Sequence, residues 1–242
     1  IGACNAVIYS GAKPVLVDSE FETWNIDAAK IEEKITKKTK AIMVMHTYGH
    51  PADMDNIKNI SKKHNLPIIE DAAEAHGAEY KGKKAGSLGD IACFSYYANK
   101  LITCGEGGMV VTNNNKWAER AALLKNHFFG KTRFLHEEIG YNYRLTNLQA
   151  AIGLAQLEKI DAYVNSRISN ARAYTKLLSR VNGITAPPEA VWAKNVYWMY
   201  GILVEKEFGI TMQKLRDRLR KKGIDTRTFF IGMHNQPVYK KN

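Results

Sequence analysis

Three residues near the middle of the chain have the types and spacing of a chemical site. Asp71 stands in LPIIEDAAEAHGAEY, directly after a hydrophobic run, while Ser95 and Lys100 stand in IACFSYYANKLITCGEGGMVVT. An acid at the carboxyl end of a buried strand sits where open α/β sheets place their ligand contacts. The competing reading makes Glu70 and Asp71 caps for the DAAEA turn. Lysine with its ordinary pKa of about 10.4 is a poor nucleophile at neutral pH. Desolvation among aromatic groups lowers that value and turns the amine into a Schiff-base former. The glycines of GEGG would let backbone pass close to a flat ligand. The segment lacks the GK[ST] ending of a Walker loop, and no GxGxxG occurs in the chain.

Together the three residues are the parts needed to hold pyridoxal phosphate: a carboxylate for the ring nitrogen, a hydroxyl for the phosphate and an amine for the aldehyde. Positioning them requires strands that end near residues 71 and 95. Apolar runs of four to six residues do alternate with longer amphipathic stretches, the βα alternation of a layered α/β domain. Residues 15–17, 41–45, 67–70, 91–95 and 109–112 read as strands. Between the second and third, Met54, Ile57 and Ile60 recur at spacings of three and predict a helix over 53–64. Thr146 and Gln149 have capping-box spacing, and Ile152, Leu154, Ala155, Leu157 and Ile160 follow on a helix that runs, with an interruption, toward Arg180. Beyond Pro187 and Pro188 the pattern predicts a strand over VYWMYGILV, a helix from near Thr211 to Gly223, and an extended IDTRTFF. A composition shift near 165–185 predicts two domains, 1–165 and 166–242.

The bulk properties narrow the function classes. At 242 residues, 45% hydrophobic and 24% charged, the chain is globular, which excludes disorder, collagen and a disulfide-stapled miniprotein. The net charge of +11 admits anionic partners, yet the basic residues fall in short clusters at 37–40, 218–222 and 240–241. These read as solvated helix faces, so no nucleic-acid partner is expected. Apolar runs fall short of the roughly 18 residues of a membrane span, so no membrane partner is expected either. Cys4, Cys93 and Cys104 have no metal-ligand spacing and leave one thiol over in any pairing, which fits a reducing, cytoplasmic setting. His46, His50, His76, His127, His136 and His234 read as polar contacts, and Tyr197, Trp198 and Tyr200 as strand-like core. A start at Ile1 inside an apolar stretch and an end at Asn242 after FFIGMHNQPVY are the pattern of a protein truncated at both ends.

HTYGHPADMDNI, IIEDAAEAHGAEYKGKKAGSLGDIACFSYYANKLITCGEGGMVVT and IGYNYRLTNLQAAIGLAQLE closely resemble the DegT/DnrJ/EryC1/StrS aminotransferases, which aminate keto sugars attached to nucleotides. The resemblance covers essentially the whole chain. It implies an α/β, fold-type I aminotransferase: a mainly parallel central sheet in a three-layer α/β/α large domain, with a smaller α+β C-terminal domain. It also implies pyridoxal phosphate as cofactor, L-glutamate as donor, a nucleotide-linked keto sugar as acceptor, and a homodimer with active sites shared between subunits. The segments CNAVIYSGAKPVLVDSEFETWNID and GIDTRTFFIGMHNQPVY are most similar to the branch that aminates a GDP-linked 4-keto-6-deoxyhexose at C4.

Residue by residue, the resemblance implies that Lys100 is the Schiff-base lysine and proton shuttle, Asp71 the partner of the ring nitrogen, Ala73 the small residue against the ring face, and Ser95 a phosphate ligand. Asn142, in GYNYR, matches a phosphate contact from the other subunit, a role that Arg144 could share. Many members carry Gln at position 74, donating to the cofactor's phenolic oxygen. Glu74 could donate there only if protonated, or else holds that oxygen through water. Sugar dehydratases of the same fold have His where this chain has Lys100, so the lysine speaks for transamination. A noncatalytic regulator that senses a nucleotide sugar is disfavoured because Asp71, Ser95 and Lys100 are all retained.

Overall fold

The computed structural model describes residues 1–132 and 134–240. Its strands are β1 (Ile42–Met45), β2 (Ile68–Asp71), the two-residue β3 (Glu79–Tyr80) and β4 (Lys83–Lys84), β5 (Ile91–Ser95), β6 (Gly108–Thr112), and the short β7 (Ile184–Thr185), β8 (Ala193–Lys194) and β9 (Leu203–Val204). The α-helices are α1 (Gly2–Tyr9), α2 (Met54–His64), α3 (Asn115–Leu124), α4 (Asn147–Leu157), α5 (Ile160–Leu178) and α6 (Met212–Lys221). The central sheet has the order β1-β2-β5-β6. Its first two pairings are parallel and the last is antiparallel. This is the mainly parallel α/β sheet expected.

Alternation along the strands divides each one between core and site. In β2, Ile68 and Glu70 are buried while Ile69 and Asp71 are only half-buried. Ile42 and Val44 of β1 join Ile68 in a core with Met54 and Ile57 of α2, so the face with the i, i+3 pattern covers the sheet as its spacing requires. Asn65 ends α2 in the left-handed region at φ 51°, the usual exit for a residue of this type. Thr146 and Gln149 make both bonds of the capping box that starts α4.

A second core cluster joins the turn after β2 to the C-terminal part: Ala72, Ala75 and Ala78 pack with Leu101, with Val164 of α5 and with Val196. Gly49 is needed for that join. It lies at φ +99°, and a Cβ there would fall 2.8 Å from the Val196 side chain. His50 ties the same two regions, donating from Nδ1 to the Pro51 carbonyl (2.7 Å) and accepting at Nε2 from the Ala190 N–H (3.0 Å).

Several expectations need correction. Residues 15–17 form no strand, because no neighbouring backbone among the described residues pairs with them; Ser19 and Ile26 make only an isolated bridge nearby. The expected strand over VYWMYGILV survives only as Leu203–Val204 of β9. It breaks near its start, where Tyr197 adopts φ 47°, a value no strand accommodates. IDTRTFF has no ladder partner among the described residues. The interruption expected on the way to Arg180 is present: α4 and α5 are separate helices broken at Glu158 and Lys159.

Candidate active site

The carboxyl end of β2 presents two acids to opposite sides. Glu70 is fully buried and points into the loop that precedes β5. There it accepts from the N–H groups of Gly86 (2.7 Å), Leu88 (2.6 Å) and Gly89, and from His46 Nε2 (2.9 Å). His46 Nδ1 accepts the Ala52 N–H at 3.1 Å, so the ring proton lies on Nε2 and faces the carboxylate. Burial alone would raise the Glu70 pKa; the His46 and backbone donors outweigh it and hold the carboxyl below its ordinary value. Glu70 is therefore a structural clamp. Asp71, one residue on, faces the other side. Its Oδ1 accepts from Ala73 N (3.2 Å) and lies 3.9 Å from the Cys93 Sγ, so the turn-capping reading holds for one of its two oxygens.

Lys100 sits on the loop from Tyr96 to Gly107, which connects β5 to β6. The loop is closed at its base by Tyr96 N to the Gly107 carbonyl (2.8 Å) and tightened by Cys104 N to the Tyr96 carbonyl (3.1 Å). The Lys100 amine lies 3.9 Å from the centroid of the Trp198 ring. Burial lowers its pKa, while the charges of Glu74 and Asp71 oppose the shift and that of Arg227 adds to it. The amine makes no ion pair among the described residues. Trp198 is itself fixed, donating from Nε1 to the Asn99 carbonyl (2.9 Å), next to the lysine in sequence.

Glu74 and Tyr48 complete the wall. Glu74 is buried and accepts the Tyr48 N–H at 2.8 Å. Burial pushes its carboxyl pKa up, the direction needed for the protonated form in which it can donate. Tyr48, at φ 54°, stacks near Trp198 and Phe230, and its hydroxyl oxygen accepts the Phe230 N–H at 3.1 Å. His76, buried between Phe94 and Tyr96, has no hydrogen-bond partner for either ring nitrogen among the described residues. Burial first, and the Lys100 charge second, push its pKa down to about 4.

The structure thus brings Asp71, Glu74 and Lys100 into one electrostatic neighbourhood. Ser95 ends β5 beside it: Asp71 pairs with Cys93, two residues earlier on the adjacent strand. The Ser95 hydroxyl oxygen accepts the Tyr97 N–H (3.3 Å) and keeps its own proton available for an anion. Ala73 lies in the turn between Asp71 and Glu74. Asn142 is exposed and pairs through its backbone with Asn126, and no hydrogen bond or ion pair joins it to the other residues of the group. An amine without an ion pair, a carboxylate with one oxygen unspent and a hydroxyl with a free proton are a donor set that fits pyridoxal phosphate.

Two sequence readings are revised here. The aromatic group 197–200 is not a strand; Tyr197 and Trp198 are buried in the core as expected, and Trp198 is also the wall against Lys100. The GEGG glycines serve the loop itself: Gly107 lies at φ +140°, and a Cβ there would fall 2.5 Å from the Leu145 side chain. Tyr48, Trp198, Arg227 and Phe230 were missed from sequence because they converge from three distant segments, and no spacing rule links them.

The whole chain, residues 1–242, matches the DegT/DnrJ/EryC1/StrS aminotransferase family, and the chain belongs to that family. The cofactor of the family is pyridoxal phosphate. Among its relatives is the GDP-perosamine synthase of Caulobacter vibrioides, 46% identical over 241 residues, which cover 99% of this chain and 65% of that protein. The GDP-perosamine synthase of Escherichia coli O157:H7 is 45% identical over 240 residues, again 99% and 65%. Among solved structures, DesV of S. venezuelae superposes with a TM-score of 0.93 at 36% identity, covering all of this chain and 64% of its own. The chain therefore spans just under two thirds of the length of these relatives.

Proposed function

We propose that the protein is a pyridoxal-phosphate-dependent aminotransferase that transfers nitrogen from L-glutamate to a GDP-linked 4-keto-6-deoxyhexose, yielding GDP-perosamine for a surface polysaccharide. The observation that carries this is the Lys100 amine, held on the Trp198 face within the field of Asp71 and Glu74. The similarity to two GDP-perosamine synthases supports the choice of sugar. We also propose that the enzyme works as a cytoplasmic homodimer, with Asn142 of each subunit reaching the cofactor phosphate of the other, and that 1–165 and 166–242 are its large and small domains.

When bound, pyridoxal phosphate supplies an electron sink for the charge left when a proton leaves the donor's Cα. Lys100 would hold the cofactor aldehyde through its amine and, when that amine is free, its Nζ would accept and return a proton. Its depressed pKa leaves more of the amine in the proton-accepting form at neutral pH. Asp71 would hold the protonated ring nitrogen, Ala73 would leave room for the ring and Ser95 would donate to the phosphate. Glu74, whose pKa burial raises, would hold the phenolic oxygen, directly when protonated or else through water. Trp198 covers one side of the amine. Donor and acceptor then occupy the site in turn.

A panel of GDP-, dTDP- and UDP-linked keto sugars, assayed with glutamate on the whole protein, tests the reading. The expected result is a preference for GDP-4-keto-6-deoxymannose. Preference for a dTDP or UDP sugar would move the protein to another branch of the family. Borohydride should fix the cofactor covalently to Lys100 and fail to do so in Lys100→Ala; recovery of the adduct on another lysine would refute the assignment.

A further inference from the structure

Tyr48 lies at φ 54°, ψ 15°, in the left-handed region that a bulky side chain rarely enters. Such a conformation persists only where its surroundings over-determine it, and it clusters at functional sites. Here the surroundings can be named. Asn25 pins the turn on either side of Tyr48, accepting the Thr47 N–H (2.7 Å) and donating to the carbonyls of His50 (3.0 Å) and Pro51 (3.2 Å). The Tyr48 ring lies 5.4 Å from those of Phe229 and Phe230 and 6.4 Å from that of Trp198. Its hydroxyl oxygen accepts the Phe230 N–H. The product of this arrangement inside the site is one hydrogen bond, from the Tyr48 N–H to Glu74 Oε2 at 2.8 Å.

That bond is the only one Glu74 makes among the described residues, and no cation there forms an ion pair with it. Burial and the Asp71 charge favour its neutral form. The Tyr48 N–H and the charges of Lys100 and Arg227 oppose them, and burial prevails. A neutral carboxyl has one carbonyl oxygen, which accepts, and one hydroxyl, which donates. With an N–H facing Oε2, Oε2 is the carbonyl and Oε1 the hydroxyl. Resting on the proposed transamination, we infer that Tyr48 is a positioning residue: it commits its N–H to Glu74 Oε2, so that the neutral acid carries its proton on Oε1 and donates a hydrogen bond from there to the cofactor's phenolic oxygen. The left-handed turn is what aims the N–H at Glu74. With residue 48 in ordinary helical or extended backbone the N–H would face elsewhere, and either oxygen could hold the proton.

The test uses the whole protein, with and without cofactor, and two changes at position 48. Tyr48→Ala removes the ring and leaves a side chain that disfavours the left-handed region, so the turn should relax. Tyr48→Gly removes the same ring but tolerates that region, so the N–H should stay in place. Infrared difference spectra against Glu74→Gln isolate the carbonyl stretch of protonated Glu74 in the cofactor-free protein at neutral pH. It should stand at one frequency in wild type and Tyr48→Gly, and at a higher one in Tyr48→Ala, where the carbonyl has lost its donor. In the loaded protein, a phenolic oxygen without its donor holds the proton on the Lys100 nitrogen more tightly. The pH midpoint of the visible band should therefore rise by about one unit in Tyr48→Ala, the worth of one hydrogen bond to a charged group. It should stay near the wild-type value in Tyr48→Gly, and also in Glu74→Gln, whose amide oxygen can accept the N–H while its NH2 donates. Identical spectra for the Ala and Gly variants would overturn the inference, as would the absence of a protonated-carboxyl band or a Glu74→Gln midpoint displaced as far as that of Tyr48→Ala. A fall in thermal midpoint with neither spectral change would reduce the turn to a structural role and overturn it too. A protein that shows the infrared pattern but aminates no sugar would leave this inference standing and sink the proposed activity instead.

Discussion

Asp71, Ser95 and Lys100 could be read from the sequence because each lies at or just beyond the end of an apolar run, where type and position coincide. Trp198 and Arg227 could not, since they reach the lysine only after Val196 docks against Gly49 and the segment beyond α6 folds back over Tyr48. Position 71 also shows how a residue holds two roles at once. One Asp71 oxygen caps Ala73, and the other is unspent. Replacing Asp71 with Asn preserves the shape and a cap-capable oxygen but removes the charge. Turnover of the whole enzyme should then fall by at least about 100-fold, as for loss of a key electrostatic group, with little change in thermal midpoint. Steady-state assay beside a melting curve checks both, and a near-normal turnover would reduce Asp71 to its capping role.

At the scale of elements, β1, β2, β5 and β6 were legible as apolar runs, but which runs pair was not. Residues 15–17 are as β-prone as any of them and stay unpaired, since a strand is a property of two segments rather than one. What holds the observed sheet edge to the loop before β5 is Glu70, four hydrogen bonds deep in the core. Glu70→Ala would strand the donors of Gly86, Leu88, Gly89 and His46, a loss of about 3–5 kcal/mol for breaking a buried charged network. Glu70→Gln keeps one acceptor oxygen and should cost less. The pH dependence has a definite sign. Because the folded-state pKa is depressed, the unfolded chain binds the proton more readily, so this stability is complete above the unfolded value of about 4.3 and is lost as pH falls through the folded one. Denaturation midpoints of wild type and Glu70→Gln should therefore converge as the solution is acidified; parallel curves would show that Glu70 is not the titrating clamp.

Over the whole molecule, the distribution of apolar surface is uneven in a way that a single helix makes plain. α4 reads NLQAAIGLAQL, apolar nearly all round, yet none of its residues is buried: Leu148 is 80% exposed, Ile152 53% and Leu154 58%. Eleven residues are too few to hold a helix in water by propensity, even with the capping box at Thr146. Tyr143, Ile139, Met109 and Val110 are exposed apolar side chains as well. Exposed apolar surface of this extent drives association. Residues 1–242 should accordingly self-associate in solution. Light scattering across a concentration series gives the reading. The apparent mass of the 242-residue chain should climb with concentration, and a Leu148→Glu, Ile152→Glu pair of changes should lower it by placing charges on the same face. A concentration-independent monomer would mean that α4 is stable as it stands and that its apolar residues need no cover.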